Sequence, residues 1–358
     1  MIRASVSNRI TILRYLLMVL VVCIHNNLNA EDAVYYGLSF SQPGWVLFIK
    51  QALSDGIACA AVPLFFVFSG YLFWNKQDAP AYSYAALLKK KARTLLVPYI
   101  LWTLLYIAFF FIAQSLPVIQ NYFINRQNMI RLFSPIEWLD AFWGRIQREG
   151  GSPLTYQFWF LRDLMVVFAL SPLLVLFIKK LPAVTFAAIS VAYICKLPLG
   201  VVSSATPLFF FALGCWWAKY GWNADAVDRI RWPELLIVYA GVLVLKFCIP
   251  DAPQIANINI AVSAVVLYRL AGVIERSPKW SSVCKKLAAY SFFLYAAHAP
   301  VVMATLNKLS YQIIPLHGAW CLVQYIVPTV ICIVLCTGVG CLLRRALPRF
   351  YAVLTGDR

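Results

Sequence analysis

Charged residues are scarce in this chain, and acidic residues are the scarcest of them. Only 13% of the 358 residues are charged, about half the share found in soluble domains, whereas 62% are hydrophobic. The 14 Asp and Glu residues are outnumbered by 31 Lys and Arg residues, and there are only three histidines. This composition excludes an ordinary soluble domain and predicts a polytopic membrane protein.

Sequence motifs for metal, nucleotide and redox chemistry are also missing. The chain has no HExxH pair, no GxxxxGK[S/T] loop and no CxxC pair, so a zinc protease, a P-loop ATPase and a dithiol enzyme have no support. Nine of the ten cysteines fall in apolar segments, where we expect them to pack as small apolar residues and not as a disulfide framework. The sequence predicts no metal site.

Apolar stretches near the roughly 20 residues that a bilayer requires recur along the whole chain. They predict an all-α fold, a membrane helical bundle of about ten transmembrane helices in a single domain over residues 1–358. We expect the first span to remain in the protein and not to be cleaved as a signal peptide. The predicted spans are 10–27, 57–74, 95–113, 160–178, 184–198, 202–219, 233–249, 257–273, 287–306 and 321–343.

The basic residues are unevenly distributed between the two sets of connecting segments. With the N-terminus inside, about twenty Lys and Arg side chains fall in the predicted cytoplasmic segments and about six fall clearly outside. The positive-inside rule therefore predicts that both termini are cytoplasmic. The formal net charge of +17 is explained by this topology, and no nucleic-acid partner is predicted.

Arg14 and His25 are two of the few polar side chains in the first apolar span. On an α-helix, eleven positions return to within roughly 20° of the starting direction after a rise of about 16 Å, so both side chains project from one face. An ionisable group at the bilayer centre costs at least about 2.5 kcal/mol and usually faces a bundle interior or a wet cavity. The pair is therefore interpreted as a functional site, although a snorkelling Arg14 and a hydrogen-bonded helix-end His25 are the structural alternatives.

A cationic cluster that includes Lys90 and Arg93 runs directly into the third predicted span. Such a cluster commonly sets membrane topology or contacts anionic lipid. It is equally suited to clamp the phosphates of coenzyme A by charge-assisted hydrogen bonds. Both interpretations remain open from the sequence.

Two further polar motifs lie inside apolar segments. Ser69-Gly70-Tyr71 interrupts the second predicted span, where a glycine can serve close helix packing and the hydroxyls can satisfy a neighbour. His298, with Tyr295 one turn earlier, precedes a proline in the ninth predicted span. A histidine in this position can be functional, or it can satisfy a backbone carbonyl that the proline frees.

Two predicted external segments combine polar groups with aromatic rings. Residues 114–159 hold Trp138, Trp143, Tyr156 and Trp159 among arginines and acids, a combination that suits a sugar site but also an interfacial aromatic belt. Residues 28–56 begin just beyond His25 with further Asn, Glu and Asp residues. They predict a polar entrance beside that histidine.

Together, these residues resemble the acyltransferase-3 family of integral membrane acyltransferases. The family hallmark is an Arg and a His separated by ten residues in the first membrane helix, which Arg14 and His25 match. The resemblance extends over nearly the whole chain and is carried by Val62-Pro-Leu-Phe-Phe-Val-Phe-Ser-Gly-Tyr71, Arg93-Thr-Leu-Leu-Val-Pro-Tyr-Ile-Leu-Trp102, Phe158-Trp-Phe-Leu161, Ser171-Pro-Leu-Leu174 and Tyr295-Ala-Ala-His298.

The resemblance implies transfer of an acyl group, most often acetyl, from cytoplasmic acyl-CoA to a hydroxyl of a glycan or lipid-linked saccharide. It also implies the bacterial cytoplasmic (inner) membrane, with membrane lipid as a partner and no tightly bound cofactor. Two departures from the family are visible. The chain ends soon after its last predicted span, without the SGNH domain of larger members, and it lacks the acidic residue that many relatives carry shortly before the arginine, which leaves Arg14 without an assigned partner.

For this transfer we expect His25 to act as general base, because neutral imidazole, with an ordinary pKa near 6.5, can take a proton at physiological pH; an acyl-histidine intermediate is an open alternative. Lys90 and Arg93 are expected to bind the phosphates of CoA, with Arg14 along the path of its pantetheine arm. Residues that could support the site or donate to the thioester oxyanion are Ser69, Tyr71, Tyr295 and His298.

Two functions from other classes remain as alternatives. A secondary transporter or flippase of an envelope precursor could also use a buried histidine and arginine, although no internal repeat with matching broken helices is visible. A membrane protein without catalytic activity is the other. The acceptor and the oligomeric state are not predicted by the sequence.

Overall fold

The computed structural model describes residues 2–26, 37–77, 82–117, 128–197, 200 and 202–357, and this part of the chain is helical without a β-strand. The helices carry the apolar runs of the sequence, and several begin with proline, whose fixed φ suits the first turn. They are α1 Ala4–Ile24, α2 Gly44–Gln51, α3 Ala61–Gln77, α4 Tyr84–Lys91, α5 Val97–Ala113, α6 Pro135–Trp143, α7 Trp159–Ala169, α8 Ser171–Lys180, α9 Pro182–Ile194, α10 Thr206–Tyr220, α11 Trp232–Cys248, α12 Pro253–Glu275, α13 Pro278–Leu287, α14 Ser291–Ala297, α15 Met303–Tyr311, α16 Trp320–Ala346 and α17 Pro348–Thr355.

Short π-helical segments join several of these helices into longer ones. They occupy Ala52–Ile57, Ala92–Leu96 and His298–Val302. A π-helical turn shifts the backbone hydrogen-bond register and leaves carbonyl groups for side chains to satisfy, and such turns are frequent at functional sites. Two of the three flank the site described below.

Six helical segments in the described residues are long and apolar enough to cross a membrane, and a seventh is possible if a pair bent by 58° counts as one span. A multi-pass membrane fold is therefore confirmed, but ten spans are not. Three of the predicted spans correspond to short helices, since α9, α10 and α11 have 13, 15 and 17 residues. These lengths are at or below the lower limit of about 17 residues for a transmembrane helix. The six are Ala4–Ile24, Gly44–Gln77, Tyr84–Ala113, Pro253–Glu275, Pro278–Tyr311 and Trp320–Ala346, and the bent pair is Tyr156–Ala169 with Ser171–Lys180.

Helices α3 and α10 cross at two glycines. A Cβ atom on Gly70 would lie 1.9 Å from the Phe211 carbonyl oxygen, and one on Gly214 would lie 2.0 Å from that of Val67. The backbones approach so closely that only glycine fits at either position. The packing interpretation of Gly70 is therefore confirmed.

The start of α1 is held by a buried ion network. Arg9 is only 4% exposed, and its guanidinium lies 2.6 Å from the Asp228 carboxylate and 3.0 Å from that of Glu275. Burial disfavours the charged Asp228 carboxylate, but the hydrogen bond and positive charge of Arg9 outweigh this effect and lower its pKa from 3.8. In the sequence Arg9 counted only toward topology, whereas here it joins α1 to α12 and to the 224–229 turn.

The segment after α5 folds back along that helix. The Tyr99 hydroxyl donates to the Phe142 carbonyl at the end of α6, and the Phe158 ring lies 5.4 Å from the Tyr99 ring. The chain leaves α5 at its C-terminal end, after Ala113, whereas Tyr99 stands in its first turn. Phe142 and Phe158 therefore lie back beside the N-terminal end of α5. Part of the predicted external segment 114–159 therefore packs between helices and leads into the site.

Candidate active site

His25 caps the C-terminal end of α1 and faces two aromatic side chains from distant parts of the chain. Its ring centroid lies 5.3 Å from that of His298 and 5.0 Å from that of Tyr156, with the Tyr156 ring edge-on. The three residues come from α1, from the π-helical segment after α14 and from the turn before α7. Two of the three histidines of the chain therefore meet at one point.

A helix break directs His298 toward this point. Pro300 has no backbone N–H, so the regular helix cannot continue past α14, and the π-helical segment His298–Val302 follows. The His298 side chain is completely buried, and its Nδ1 lies 2.8 Å from the Tyr295 carbonyl oxygen and 3.1 Å from that of Leu294. Carbonyl oxygens only accept hydrogen bonds, so Nδ1 carries the proton in the neutral ring and Nε2 is the acceptor. In the described structure this buried Nε2 has no hydrogen-bond partner.

Other side chains satisfy the carbonyl groups around the break. The Ala296 carbonyl accepts hydrogen bonds from the Tyr106 hydroxyl at 3.0 Å and from Gln157 Nε2 at 3.3 Å, and Gln157 also donates to the Ala299 carbonyl. These contacts compensate for the missing donor at Pro300 and fix the backbone that carries His298. The sequence indicated a carbonyl freed by the proline and His298 as its possible partner, but neither Tyr106 nor Gln157 was identified.

The two tyrosines nearest the histidines differ in their hydrogen bonding. The Tyr295 hydroxyl donates to the Gln157 carbonyl at 2.6 Å, so its proton is committed to the fold. The Tyr156 hydroxyl makes no hydrogen bond with the described residues, and its side chain is 36% exposed. Tyr156 is therefore better placed than Tyr295 to donate to a substrate beside His25.

The end of α1 is held in place by four hydrogen bonds. The Cys23 carbonyl accepts from Ser54 Oγ at 3.0 Å and from the Tyr325 hydroxyl at 3.3 Å. Asn26 is completely buried and donates to the Tyr325 carbonyl at 2.7 Å and to Thr329 Oγ1 at 2.9 Å. These bonds join the turn that carries His25 to α16 and to the 52–57 segment. Of the predicted polar entrance, residues 28–56, the part from 28 to 36 lies outside the described residues, and the rest includes α2 and most of the 52–57 segment.

Arg14 lies on the face of α1 that also carries His25. It is half-buried, and its guanidinium forms no ion pair or hydrogen bond within the part of the chain that the structure describes. The acidic residues Asp228 and Glu275 pair with Arg9, five positions earlier on α1. A guanidinium inside a span requires a compensating anion or water. Arg14 is thus available to a ligand.

The predicted CoA-binding residues lie at the surface near the start of α5. Lys90 is exposed in the last turn of α4. The Arg93 side chain is 77% exposed, and its guanidinium lies 2.5 Å from the Asp357 carboxylate near the C-terminus. Both cations are therefore accessible, and Arg93 would have to exchange a carboxylate for a phosphate.

Ser69 and Tyr71 are not brought to the histidines. The centroid of the Tyr71 ring lies 4.3 Å from that of Trp217, and the Trp217 centroid lies 6.0 Å from that of Tyr268. The Arg9 guanidinium stacks over the Tyr268 ring, 5.1 Å from its centroid. Tyr71 therefore belongs to the Arg9 end of α1, and Arg9 precedes His25 by sixteen residues, about 24 Å of helix. Ser69 is half-buried on the same helix.

The described residues contain no group of three or more His, Cys, Asp or Glu side chains that could hold a metal ion. The groups available are the imidazoles of His25 and His298, the Tyr156 phenol and the Arg14 guanidinium, the last two without a partner in the described part of the chain. Such a set can remove a proton from a hydroxyl, donate to a developing oxyanion and bind an anion.

The model of the acyltransferase domain family matches residues 7–345. The chain belongs to the acyltransferase-3 family. This acyltransferase is also similar to the Succinoglycan biosynthesis protein ExoH of Rhizobium meliloti (strain 1021), with 26% identity over 370 residues that cover 99% of this chain and 93% of the relative. No solved structure matches at a significant level. The family assignment and the helical architecture together make this protein a multi-pass membrane acyltransferase.

Proposed function

We propose that this acyltransferase moves an acyl group from acyl-CoA to a hydroxyl of a cell-envelope glycan, with His25 as general base. The observation that carries the proposal is the meeting of His25, His298 and Tyr156 at one end of α1. It brings together the His25 imidazole, the His298 Nε2 and the Tyr156 hydroxyl, and within the described residues the last two have no hydrogen-bond partner. A transporter reading is not supported by the family assignment.

In the proposed step, His25 takes the proton of the acceptor hydroxyl as its oxygen attacks the thioester carbonyl. The new C–O bond forms, the C–S bond breaks, and the proton passes from the imidazole to the departing CoA thiolate. Neutral imidazole suits this role because its ordinary pKa lies near 6.5, and such general-base catalysis contributes roughly 10²–10⁴-fold. The Tyr156 hydroxyl would donate to the oxyanion of the tetrahedral intermediate.

His298 is proposed to orient the proton transfer. Its Nδ1 is held by the carbonyls of the α14 end, so the ring cannot turn freely and Nε2 stays an acceptor. That nitrogen can accept a hydrogen bond from the acceptor hydroxyl or from His25. A buried acceptor without a partner is costly, by about 1–3 kcal/mol, and a bound substrate would relieve the cost.

The acyl donor is proposed to enter from the end of the bundle that carries Lys90 and Arg93. These cations would bind the CoA phosphates, and Arg14 would line the channel for the pantetheine arm. The rise of about 16 Å between Arg14 and His25 is compatible with an extended arm between them. Arg14 supports this path because its charge has no partner within the described chain.

The acceptor class rests on the relative, whose printed name places it in succinoglycan biosynthesis. A glycan or lipid-linked saccharide is therefore the proposed acceptor. Acetyl is proposed as the acyl group from the family's commonest chemistry, and the proposed site of action is the bacterial inner membrane, with both termini cytoplasmic.

The test compares alkali-labile acyl groups on the surface polysaccharide of cells lacking the protein and of cells complemented with variants at matched membrane levels. Wild type should restore the acyl groups, and His25→Ala and Arg14→Ala should not. His298→Gln, which keeps a hydrogen-bonding side chain but loses the imidazole, should reduce them at least about 10-fold. Equal restoration by wild type and His25→Ala would refute the general-base role.

A further inference from the structure

A separate cavity opens beside the π-helical segment Ala52–Ile57. It has a volume of about 240 Å³ and is lined by residues of α2 and this segment on one side and by the end of α11 on the other. Its polar lining groups are Gln51, Asp55 and Lys246. None of them takes part in the chemistry proposed above.

The cavity lies at the His25 end of the bundle. Helices α1 and α11 both start at the ion network, since Arg9 is in the first turns of α1 and its partner Asp228 stands just before α11. Their other ends carry His25 and Lys246. The π-helical segment links the two places directly, because Ser54 donates to the Cys23 carbonyl whereas its neighbour Asp55 lines the cavity.

The backbone beside the cavity is firmly held. The Asp55 carbonyl accepts from Lys246 Nζ at 2.5 Å and from Asn259 Nδ2 at 3.1 Å. The Gly56 carbonyl accepts from Asn259 at 3.0 Å and from Ser263 at 3.2 Å. These bonds satisfy the carbonyls that the π-helical turn leaves open, and they place the Lys246 ammonium at the cavity wall.

Two polar side chains in the cavity are not used by the fold. Within the described chain, neither the Asp55 carboxylate nor the Gln51 amide makes a hydrogen bond, although both line the cavity. Beside them, the rings of Phe48 and Phe247 form an apolar wall, with centroids 5.5 Å apart in an edge-to-face arrangement. Acceptor groups, donor groups and an aromatic wall therefore converge on one small space.

We propose that this cavity is a saccharide subsite, which holds one sugar residue of the glycan acceptor other than the residue that is acylated. The carboxylate, the amide and the ammonium would hydrogen-bond ring hydroxyls, and the phenylalanines would contact the C–H face of the sugar. One acidic and one basic group leave the lining without net charge, which disfavours a phosphate or a simple cation. The inference rests on the proposed function.

The size of the cavity supports a single sugar ring. Its volume of about 240 Å³ is below the roughly 300–1,000 Å³ of pockets that enclose drug-sized ligands. A longer glycan would therefore place one residue here and leave the others outside. Such an anchor would select the acceptor without touching the thioester.

The experiment uses the protein in liposomes, with the acyl-CoA that wild type consumes and with unacylated oligosaccharide from the polysaccharide of cells lacking the protein. Asp55→Ala and Phe247→Ala should each raise the acceptor KM about 10-fold, as expected for loss of one good contact. The kcat and the acyl-CoA KM should stay at wild-type values. Asp251→Asn, an exposed acidic position near the cavity that does not line it, is the control.

Binding of the same oligosaccharide to the His25→Ala protein gives a readout that does not depend on transfer. Adding Asp55→Ala to this background should weaken binding by the same factor. Unchanged acceptor KM and binding, with an altered response to phosphatidylethanolamine in the liposomes, would assign the cavity to a lipid headgroup and overturn the subsite. Unchanged values without a lipid effect would overturn it as well. If wild type transfers no acyl group, the proposed function fails first and the subsite fails with it.

Discussion

Asn26 offers the sharpest test of how the fold positions His25. It is completely buried next to the histidine and donates two hydrogen bonds to α16, at 2.7 and 2.9 Å. Each is worth about 1 kcal/mol net, so Asn26→Ala should lower the free energy of unfolding by about 2 kcal/mol. Loss of these bonds should also displace His25, and a displacement of about 1 Å should lower kcat on the order of 10²-fold.

The comparison with Asn26→Asp separates the lost donor from the lost volume. Aspartate has nearly the same shape but no amide donor, and its carboxylate would face the Tyr325 carbonyl oxygen inside the protein. We therefore expect Asn26→Asp to reduce both kcat and stability more than Asn26→Ala does. The assays are acyl transfer and thermal unfolding of the purified protein in detergent.

Asn75 provides a matched control for these variants. Its amide also donates to a backbone carbonyl, that of Tyr71 at 2.9 Å, but it is only half-buried and lies on α3 away from the histidines. Asn75→Ala should leave kcat unchanged. Wild-type kcat in the Asn26→Asp protein would refute the positioning role.

Two further predictions concern the Arg93–Asp357 and Arg9–Asp228 ion pairs. Asp357→Asn should lower the KM for acyl-CoA by freeing Arg93, and Arg93→Ala should raise it. Because this ion pair is largely exposed, its loss should change the free energy of unfolding by less than about 1 kcal/mol. Equal KM values in wild type and both variants would contradict CoA binding by Arg93. The folded-state pKa of Asp228 is lowered from 3.8, so its stabilising effect is present above pH 3.8 and is lost as the pH falls below that value. Asp228→Asn should therefore be less stable than wild type at pH 7, by about 3 kcal/mol, because it leaves the buried Arg9 without this partner. The difference should shrink when thermal unfolding is measured at acidic pH. A difference in stability that stays constant across pH would contradict this account.

The local patterns of the sequence predicted some features of the site well. The helical period predicted Arg14 and His25 on one face, and the proline after His298 indicated a freed backbone carbonyl, which the structure contains at Ala296. Both follow from neighbours within a few residues, where backbone geometry and hydrogen-bonding capacity are set by residue type. The same reasoning explains Gly70, which needs only the absence of a side chain to be recognised as a contact point.

Features that depend on partners far along the chain escaped prediction. Tyr71 carries a polar group in a family motif, yet it packs beside Trp217 and the Arg9 network, away from His25. Arg9 looked like one of many basic residues and proved to be a buried anchor. The ten-span count also failed to be confirmed, because apolar runs show which residues avoid water but not whether a helix is long enough to cross a bilayer.

Composition and apolar runs by themselves determined that this protein is a helical membrane protein, and the motifs that resemble the acyltransferase-3 family indicated its reaction class, because both are local properties of the chain. Only the tertiary structure decided which groups meet. His25 and His298 are separated by 273 positions, and their contact, the tautomer of His298 and the position of the Tyr156 hydroxyl all depend on how three distant segments pack. No local pattern encodes such a contact, since its energy comes from groups that become neighbours only when the bundle is complete.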